Sequence, residues 1–104
     1  MILHTVNKSA LSHDALQRCL AVMGNGDTLL FIEDGVYAAL ESVRLSGDLK
    51  TKIQVLLRDG RLMVLSEDVL ARGLQNKLLS GIASVDYAGF VELVTKHQSS
   101  VAWF

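Results

Sequence analysis

The segment Leu29–Ile32 is continuously apolar, and it lies between Thr28 and the polar turn Glu33-Asp34-Gly35. A strand with one face in water alternates apolar and polar residues, whereas a strand covered on both faces is apolar throughout. Cover on both faces is typical of parallel sheets, because the crossover helices of such sheets lie on either side. The run therefore predicts a buried strand at residues 28–32 of an α/β fold.

The rest of the chain alternates between strand and helix signals. Short β-rich runs predict strands at Ile2–Val6, Arg61–Leu65, Ile82–Val85 and Val101–Phe104. Helical spacing of apolar residues, or a high Ala and Leu content, predicts helices at 12–23, 36–42, 44–60, 66–73 and 86–96. Residues 44–60 also contain enough aliphatic side chains for a strand, and a helix is the assignment chosen for them.

Capping residues predict several helix ends. Ser12 is the expected N-cap of the first helix, and Gly24 is its expected C′ residue. Ser66 is expected to cap the short helix that Gly73 ends, and Asp86 is expected to open the last helix. The apolar stripe predicted for that last helix consists of Tyr87, Phe90, Val91 and Val94.

Five strands separated by helices imply right-handed β-α-β crossovers and a mostly parallel sheet. The predicted architecture is a three-layer α/β/α sandwich with a five-stranded sheet. The chain has 104 residues, no proline and no linker-like tract. We therefore expect residues 1–104 to form a single domain, in which folding buries about two-thirds of the surface of the unfolded chain.

Composition narrows the possible functions. The formal net charge is −1, whereas binding to a nucleic-acid backbone needs a concentrated excess of Lys and Arg, so direct nucleic-acid binding is not expected. No apolar run approaches the ~20 residues of a membrane helix, and no secretory signal precedes the first strand, so no membrane association is expected.

The lone Cys19 cannot pair within the chain, which favours a reducing cytoplasm. A mean hydropathy of +0.33 suggests that another chain covers part of the surface.

Ligands of open α/β sheets bind at the carboxyl ends of the strands. The residues predicted there are Asn7, Lys8, Glu33, Asp34, Glu67, Asp68 and Asp86. This edge should be acidic and repel phosphate, and it has no glycine-rich phosphate-binding turn. Paired carboxylates acting as acid and base, or as metal ligands, remain an alternative. The favoured interpretation is that the acids cap helix N-termini, and we expect neither a metal nor a cofactor.

Other chemically capable side chains are few. His4 lies in the first strand, His13 near a helix start and His97 at a helix end, and structural or surface roles are expected for all three. Trp103 and Phe104 are either a buried strand end or an exposed docking tail, with nothing in the sequence to choose between them.

Cys19 is the one candidate nucleophile with soft chemistry. Helical spacing places it beside Leu16, Leu20 and Met23, which is a core-facing position. Burial raises the pKa of a thiol and makes it inert, whereas a reactive cysteine needs a helix N-terminus or a cationic neighbour. Packing is therefore the favoured role of Cys19, and a catalytic, persulfide-accepting role is the alternative.

Several segments, taken together and in order, resemble the TusB/DsrH family of sulfur-relay subunits. They are Leu3–Ser9, Glu33–Ala39, Glu67–Gly73, Val85–Leu93 and Ala102-Trp103. The resemblance covers nearly the whole chain, although no single segment is a catalytic signature. It implies a three-layer α/β fold.

The resemblance also implies a place in a heterohexamer with sister subunits, either TusC and TusD or DsrF and DsrE. Such complexes pass persulfide sulfur, towards tRNA wobble-uridine 2-thiolation in the Tus case and in sulfur oxidation in the Dsr case. The principal sulfur-carrying cysteine is implied to lie on a sister subunit, so this chain is not expected to be catalytic alone. Members of the DsrH type carry a cysteine at the position of Cys19, which favours the DsrH type. A free-standing domain that binds a small molecule is a further alternative.

Overall fold

Five parallel strands form one sheet in the order β4-β3-β2-β1-β5, in a computed structural model that describes residues 1–104. The strands are β1 (Ile2–Val6), β2 (Thr28–Phe31), β3 (Leu62–Leu65), β4 (Ala83–Val85) and β5 (Ser99–Trp103). The helices are α1 (Ala15–Val22), α2 (Gly47–Arg58), α3 (Ser66–Ala71) and α4 (Tyr87–Lys96), and a 3-10 helix spans Glu33–Ala39. The α/β fold with a five-stranded parallel sheet is confirmed.

The order of the strands explains why helices cover both faces. The connections from β1 to β2, β2 to β3 and β3 to β4 all step in one direction across the sheet, whereas the connection from β4 to β5 returns across it. Right-handed crossovers in opposite directions place their helices on opposite faces, so α4 lies on the face opposite α1 and α2. His97, directly after α4, hydrogen-bonds Thr28 of β2 on that face.

The main core lies between the sheet and the side that α1, α2 and the 3-10 helix cover. It consists of sixteen buried residues, among them Leu16 and Cys19 of α1, Phe31 of β2 and Ile53 of α2. β2 is buried along its whole length, as its continuous apolar sequence predicted. Residues 44–60, for which helix and strand both remained open, contain α2, and the Ser46 hydroxyl caps it by accepting a hydrogen bond from the Leu49 N–H.

Two predicted N-caps are wrong. α1 begins at Ala15 and its N-cap is Asp14, because Ser12 belongs to a preceding turn closed on the Ser9 carbonyl. Ser66 is the first residue of α3 and not its cap. Gly73 does follow α3 in the left-handed conformation, and the Asp86 carboxylate caps α4 through the Gly89 N–H, as predicted.

The segment predicted as a helix at 36–42 is a 3-10 helix that starts earlier, at Glu33. It packs tightly on the end of β1, and Gly35 makes this approach possible. A Cβ atom on Gly35 would lie 2.0 Å from the Val6 carbonyl oxygen. The turn also holds Glu33 at a φ of 49°, which is uncommon for a residue other than glycine.

Candidate functional site

Cys19 lies in α1 and is fully buried in the core, as helical spacing predicted. Burial raises the pKa of its thiol to about 12, and the negative charge of Asp27 adds to the effect. The thiolate is the reactive form of cysteine, so this thiol is unreactive near neutral pH while the fold is closed. The catalytic assignment of Cys19 stays a prediction.

The most elaborate polar arrangement in the molecule is a cluster of His4, Asp27 and Trp103 that sequence reasoning missed. His4 of β1 is only 3% exposed, and Asp27, in the turn before β2, is 6% exposed. The His4 Nε2 atom lies 3.0 Å from the Asp27 Oδ2 atom, and the Trp103 Nε1 atom lies 3.1 Å from His4 Nδ1. The imidazole of His4 thus joins Asp27, 23 positions away in the sequence, to Trp103, 99 positions away.

Hydrogen-bond chemistry assigns the tautomer of His4 in this cluster. The indole N–H of Trp103 can only donate, so His4 Nδ1 must accept and carries no hydrogen. The hydrogen of the neutral ring is therefore on Nε2, which donates to the Asp27 carboxylate. The two rings lie with centroids 6.2 Å apart at an interplanar angle of 28°.

Asp27 is a buried carboxylate held in its ionised form. Burial by itself would raise its pKa, but hydrogen bonds from the Gly24 N–H, the His4 side chain and the Ile2 N–H lower the pKa to about 2. Its Oδ1 atom accepts from Ile2 at 3.0 Å, and Oδ2 accepts from Gly24 at 2.9 Å. Asp27 thus ties the turn after α1 to the start of β1.

Arg18 covers the same cluster from the surface. Its guanidinium lies 5.8 Å from the centre of the Trp103 ring and donates to the Phe104 carbonyl oxygen at 3.1 Å. Trp103 therefore packs as the end of β5, whereas Phe104 is 74% exposed. The strand-end alternative holds for Trp103, which is half-buried, and a docking role for the exposed Phe104 stays a prediction.

At the carboxyl edge of the sheet, acidic side chains accept hydrogen bonds from backbone N–H groups, as the capping interpretation predicted. Asp68 accepts from Glu33 at 2.7 Å, and Glu67 accepts from Tyr87 at 3.0 Å. The edge that the sequence predicts to be acidic also holds one cation that the prediction did not include, because Arg72 lies 3.0 Å from Asp34 and 3.7 Å from Asp68. No three His, Cys, Asp or Glu side chains are grouped as metal ligands would be.

The remaining predicted residues are dispersed. Lys8 and His13 are exposed, and the side-chain oxygen of Asn7 is buried without a hydrogen-bond partner. His97 Nδ1 donates to the Leu93 carbonyl at 2.7 Å, so this histidine closes the end of α4. A surface groove of about 230 Å³ lies between α1 and α2, away from the carboxyl edge, with Met23, Val55 and Arg61 among its lining residues.

Comparison with known proteins places these features in a family. A profile of DsrH-like proteins matches residues 8–100. Protein TusB of Escherichia coli O81 (strain ED1a) is 35% identical over 102 residues, which cover 98% of this chain and all of that protein. Protein TusB of Shigella flexneri matches at the same identity and coverage. The chain belongs to the DsrH-like family.

Solved structures agree with the fold of this DsrH-like chain. The ychN protein of E. coli superposes with a TM-score of 0.80 over 97% of both chains at 12% identity. The protein MTH1491 of Methanobacterium thermoautotrophicum superposes with a TM-score of 0.69, over 97% of this chain and 96% of that one, at 16% identity. Identities this low establish the fold alone. No helix of the DsrH-like chain is long and apolar enough to cross a membrane.

Helix α4 of this DsrH-like chain has two apolar faces. Phe90 and Leu93 are half-buried and face the sheet. Tyr87, Val91 and Val94 are 56%, 64% and 42% exposed, and their spacing of four and three residues makes them one stripe along the helix. The predicted apolar stripe is therefore divided between the two faces, and three of its four residues point into solvent.

Proposed function

We propose that this chain is a partner subunit of a sulfur-relay complex, in which residues 1–104 act as a single DsrH/TusB-like domain. The observation that carries the proposal is the 35% identity to TusB along 98% of the chain. A relation over the full length concerns the whole fold and its surfaces, and not one isolated motif. Persulfide sulfur is the cargo of such a complex, and the cytoplasm, with its reducing thiol pool, is the compartment proposed for it.

The partners proposed are sister subunits that resemble TusC and TusD, or DsrF and DsrE, assembled into a heterohexamer. The exposed stripe of Tyr87, Val91 and Val94 supports a partner role, because apolar residues aligned along a solvent-facing helix are typical of interfaces. The mean hydropathy of the whole chain, +0.33, supports the same role. A free-standing small-molecule domain is less well supported, since Arg61, a cation that lines the groove, already donates hydrogen bonds to the Gly24 and Asp27 carbonyl oxygens.

Within the complex, we propose that Cys19 serves packing and that a sister subunit carries the persulfide. A relay cysteine must present a thiolate to its donor, whereas Cys19 is fully buried and its pKa is raised to about 12. Sulfur transfer through Cys19 would require α1 to separate from the sheet. The alternative, Cys19 as a persulfide acceptor, has the resemblance to DsrH-type members in its favour.

Of the two pathways, the one proposed first is the TusB-like one, towards 2-thiolation of tRNA. The named relatives in Escherichia coli and Shigella flexneri are TusB proteins, and they match the chain from end to end. The DsrH-like role in sulfur oxidation is the alternative, since the family profile carries that name. Gene neighbourhood distinguishes the two, because a sulfite reductase gene beside the three subunit genes belongs only to sulfur oxidation.

The partner role is tested by co-expression of this chain with both candidate sister subunits, followed by sedimentation. The native chain should sediment in a complex, and Val91→Lys should weaken that complex at least tenfold, because it places a charge in the apolar stripe. Gln54→Lys is the matched control: it adds the same charge to an exposed helical position in α2, on the face of the sheet opposite α4. A native chain that sediments as an 11.3 kDa monomer with and without the sister subunits contradicts the proposal.

The role of Cys19 is tested by exposing the assembled complex to a persulfide donor and analysing each subunit by mass spectrometry. We expect no sulfur on Cys19 and undiminished transfer by a folded complex that contains Cys19→Ala. Stoichiometric addition of one sulfur atom to Cys19, together with loss of transfer in that variant, would establish it as a relay cysteine.

A further inference from the structure

The buried imidazole of His4 joins two parts of the chain that differ in how firmly they are held. On its Nε2 side, Asp27 is fixed by two backbone N–H groups, from Ile2 and Gly24. On its Nδ1 side lies Trp103, at the end of an edge strand that pairs only with β1. Four of the five residues of β5 are exposed, and Trp103 alone is half-buried. The contact with His4 therefore holds the end of the carboxyl-terminal strand, in addition to its backbone pairing with β1 and the Arg18 bond to Phe104.

We propose that His4 is a pH-sensitive latch on the carboxyl-terminal strand β5, which opens when Nδ1 takes up a proton and expels the indole N–H of Trp103. The proton comes from solvent and no bond to carbon or sulfur changes. In the neutral ring, Nδ1 accepts from Trp103 while Nε2 donates to Asp27. In the imidazolium both nitrogens carry hydrogen, so Nδ1–H and the indole N–H would face each other as two donors.

The charged groups around the cluster act on the latch in opposite directions. Asp27 stays ionised because its pKa is about 2, and its carboxylate stabilises a positive charge on His4. From α1, Arg18 lies 5.8 Å from the centre of the Trp103 ring and donates to the Phe104 carbonyl, so it opposes release of the strand end. The thiol of Cys19, also on α1, stays neutral because its pKa is about 12. The ring of His97 at the end of α4 hydrogen-bonds Thr28, on the opposite face of the sheet.

Opening of the latch need not unfold the sheet. The hydrogen bonds of β1 with β2 do not involve Trp103, and Asp27 keeps its contacts with Ile2 and Gly24. The part that loses a side-chain contact is the end of β5, near the exposed Val101 and Phe104, while its pairing with β1 remains. The consequence is a local change of the surface that β5 presents, controlled by one proton.

The test uses the full chain, whose single tryptophan is Trp103 itself. As the pH falls from about 8 to about 5, Trp103 emission should shift to longer wavelength while far-UV circular dichroism stays constant. Over the same range, the amide protection factors of β5, which correct for the pH dependence of intrinsic exchange, should fall about tenfold, as expected for loss of one hydrogen bond at a partly buried site.

Two sets of variants decide the outcome. His4→Gln keeps an N–H donor for Asp27 but cannot titrate, so the emission shift should vanish, whereas His13→Gln and His97→Gln should retain it. Trp103→Phe removes the indole donor and should give low β5 protection at both ends of the pH range. The latch is refuted if the emission shift persists in His4→Gln, if the native chain shows no shift while folded, or if Trp103→Phe keeps the native pH dependence of β5 protection.

Discussion

Substitution of Gly35 by alanine should destabilise the protein more than any other single methyl group added at a glycine. The new Cβ would lie 2.0 Å from the Val6 carbonyl oxygen and 2.8 Å from the Val6 carbonyl carbon. Both are backbone atoms, so no change of side-chain rotamer can relieve the overlap. The same carbonyl oxygen accepts the Ile32 N–H at 3.0 Å, so a shift of β1 also strains the link between β1 and the turn after β2.

The size of the effect follows from the cost of overpacking, which is about 1–3 kcal/mol where side chains can move. Because only the backbone can move here, we expect about 3 kcal/mol, which is at least a fifth of the roughly 5–15 kcal/mol that stabilises a domain of this length. The melting temperature should fall on the order of 10–20 °C. Urea unfolding followed by circular dichroism and by Trp103 fluorescence measures both the loss and its cooperativity.

The matched control is Gly47→Ala at the first residue of α2, where an added Cβ has nothing within 4 Å. Alanine is the better helix former, so this variant should be neutral or up to about 1 kcal/mol more stable than the native chain. If Gly35→Ala unfolds within about 0.5 kcal/mol of the native chain, the packing of the 3-10 helix on β1 is not as described and the reasoning fails.

Three further predictions concern the buried carboxylate of Asp27, the buried thiol of Cys19 and the net charge of the chain. The pKa of Asp27 in the folded protein is about 2, below its ordinary value of 3.8. Asp27 therefore contributes about 2 kcal/mol to the stability above about pH 4, and this contribution is lost as the pH falls through 2. Asp27→Asn should remove this part of the acid dependence, as measured by urea titrations at about pH 5 and about pH 2. Cys19→Ser should cost about 1–3 kcal/mol by burying a hydroxyl in an apolar site, and Cys19→Ala should cost less, so equal losses in urea unfolding would argue against an apolar site. The isolated chain should not retain tRNA in filter binding, because its net charge is −1. A salt-sensitive, sub-micromolar complex with tRNA would contradict this prediction and would indicate a basic surface patch.

Local patterns predicted most of the secondary structure because helix and strand periodicity are properties of neighbouring residues. The burial of β2 and the inward position of Cys19 both follow from such patterns. Predictions failed where a distant segment changed the local preference. The 3-10 helix begins at Glu33 and places Gly35 against the end of β1, which is a contact no local window contains.

The candidate polar cluster was the largest omission. His4, Asp27 and Trp103 lie at three distant points of the sequence, and each one alone has an ordinary structural explanation. Period-two alternation places His4 and Trp103 on one face of their strands, but it does not say which strands are neighbours. The signal available was the presence of two polar or amphipathic side chains, His4 and Trp103, in otherwise apolar strand segments.

The sequence by itself determined the α/β class, the number of strands and the family resemblance, since these depend on residue types and their spacing along the chain. Only the tertiary structure decided that β5 returns beside β1, because strand order depends on the direction of each crossover, which residue periodicity does not encode. That return brings Trp103 to His4 and moves α4 to the opposite face, where it can bury only one side. The latch and the exposed stripe of Tyr87, Val91 and Val94 are both consequences of this one topological step.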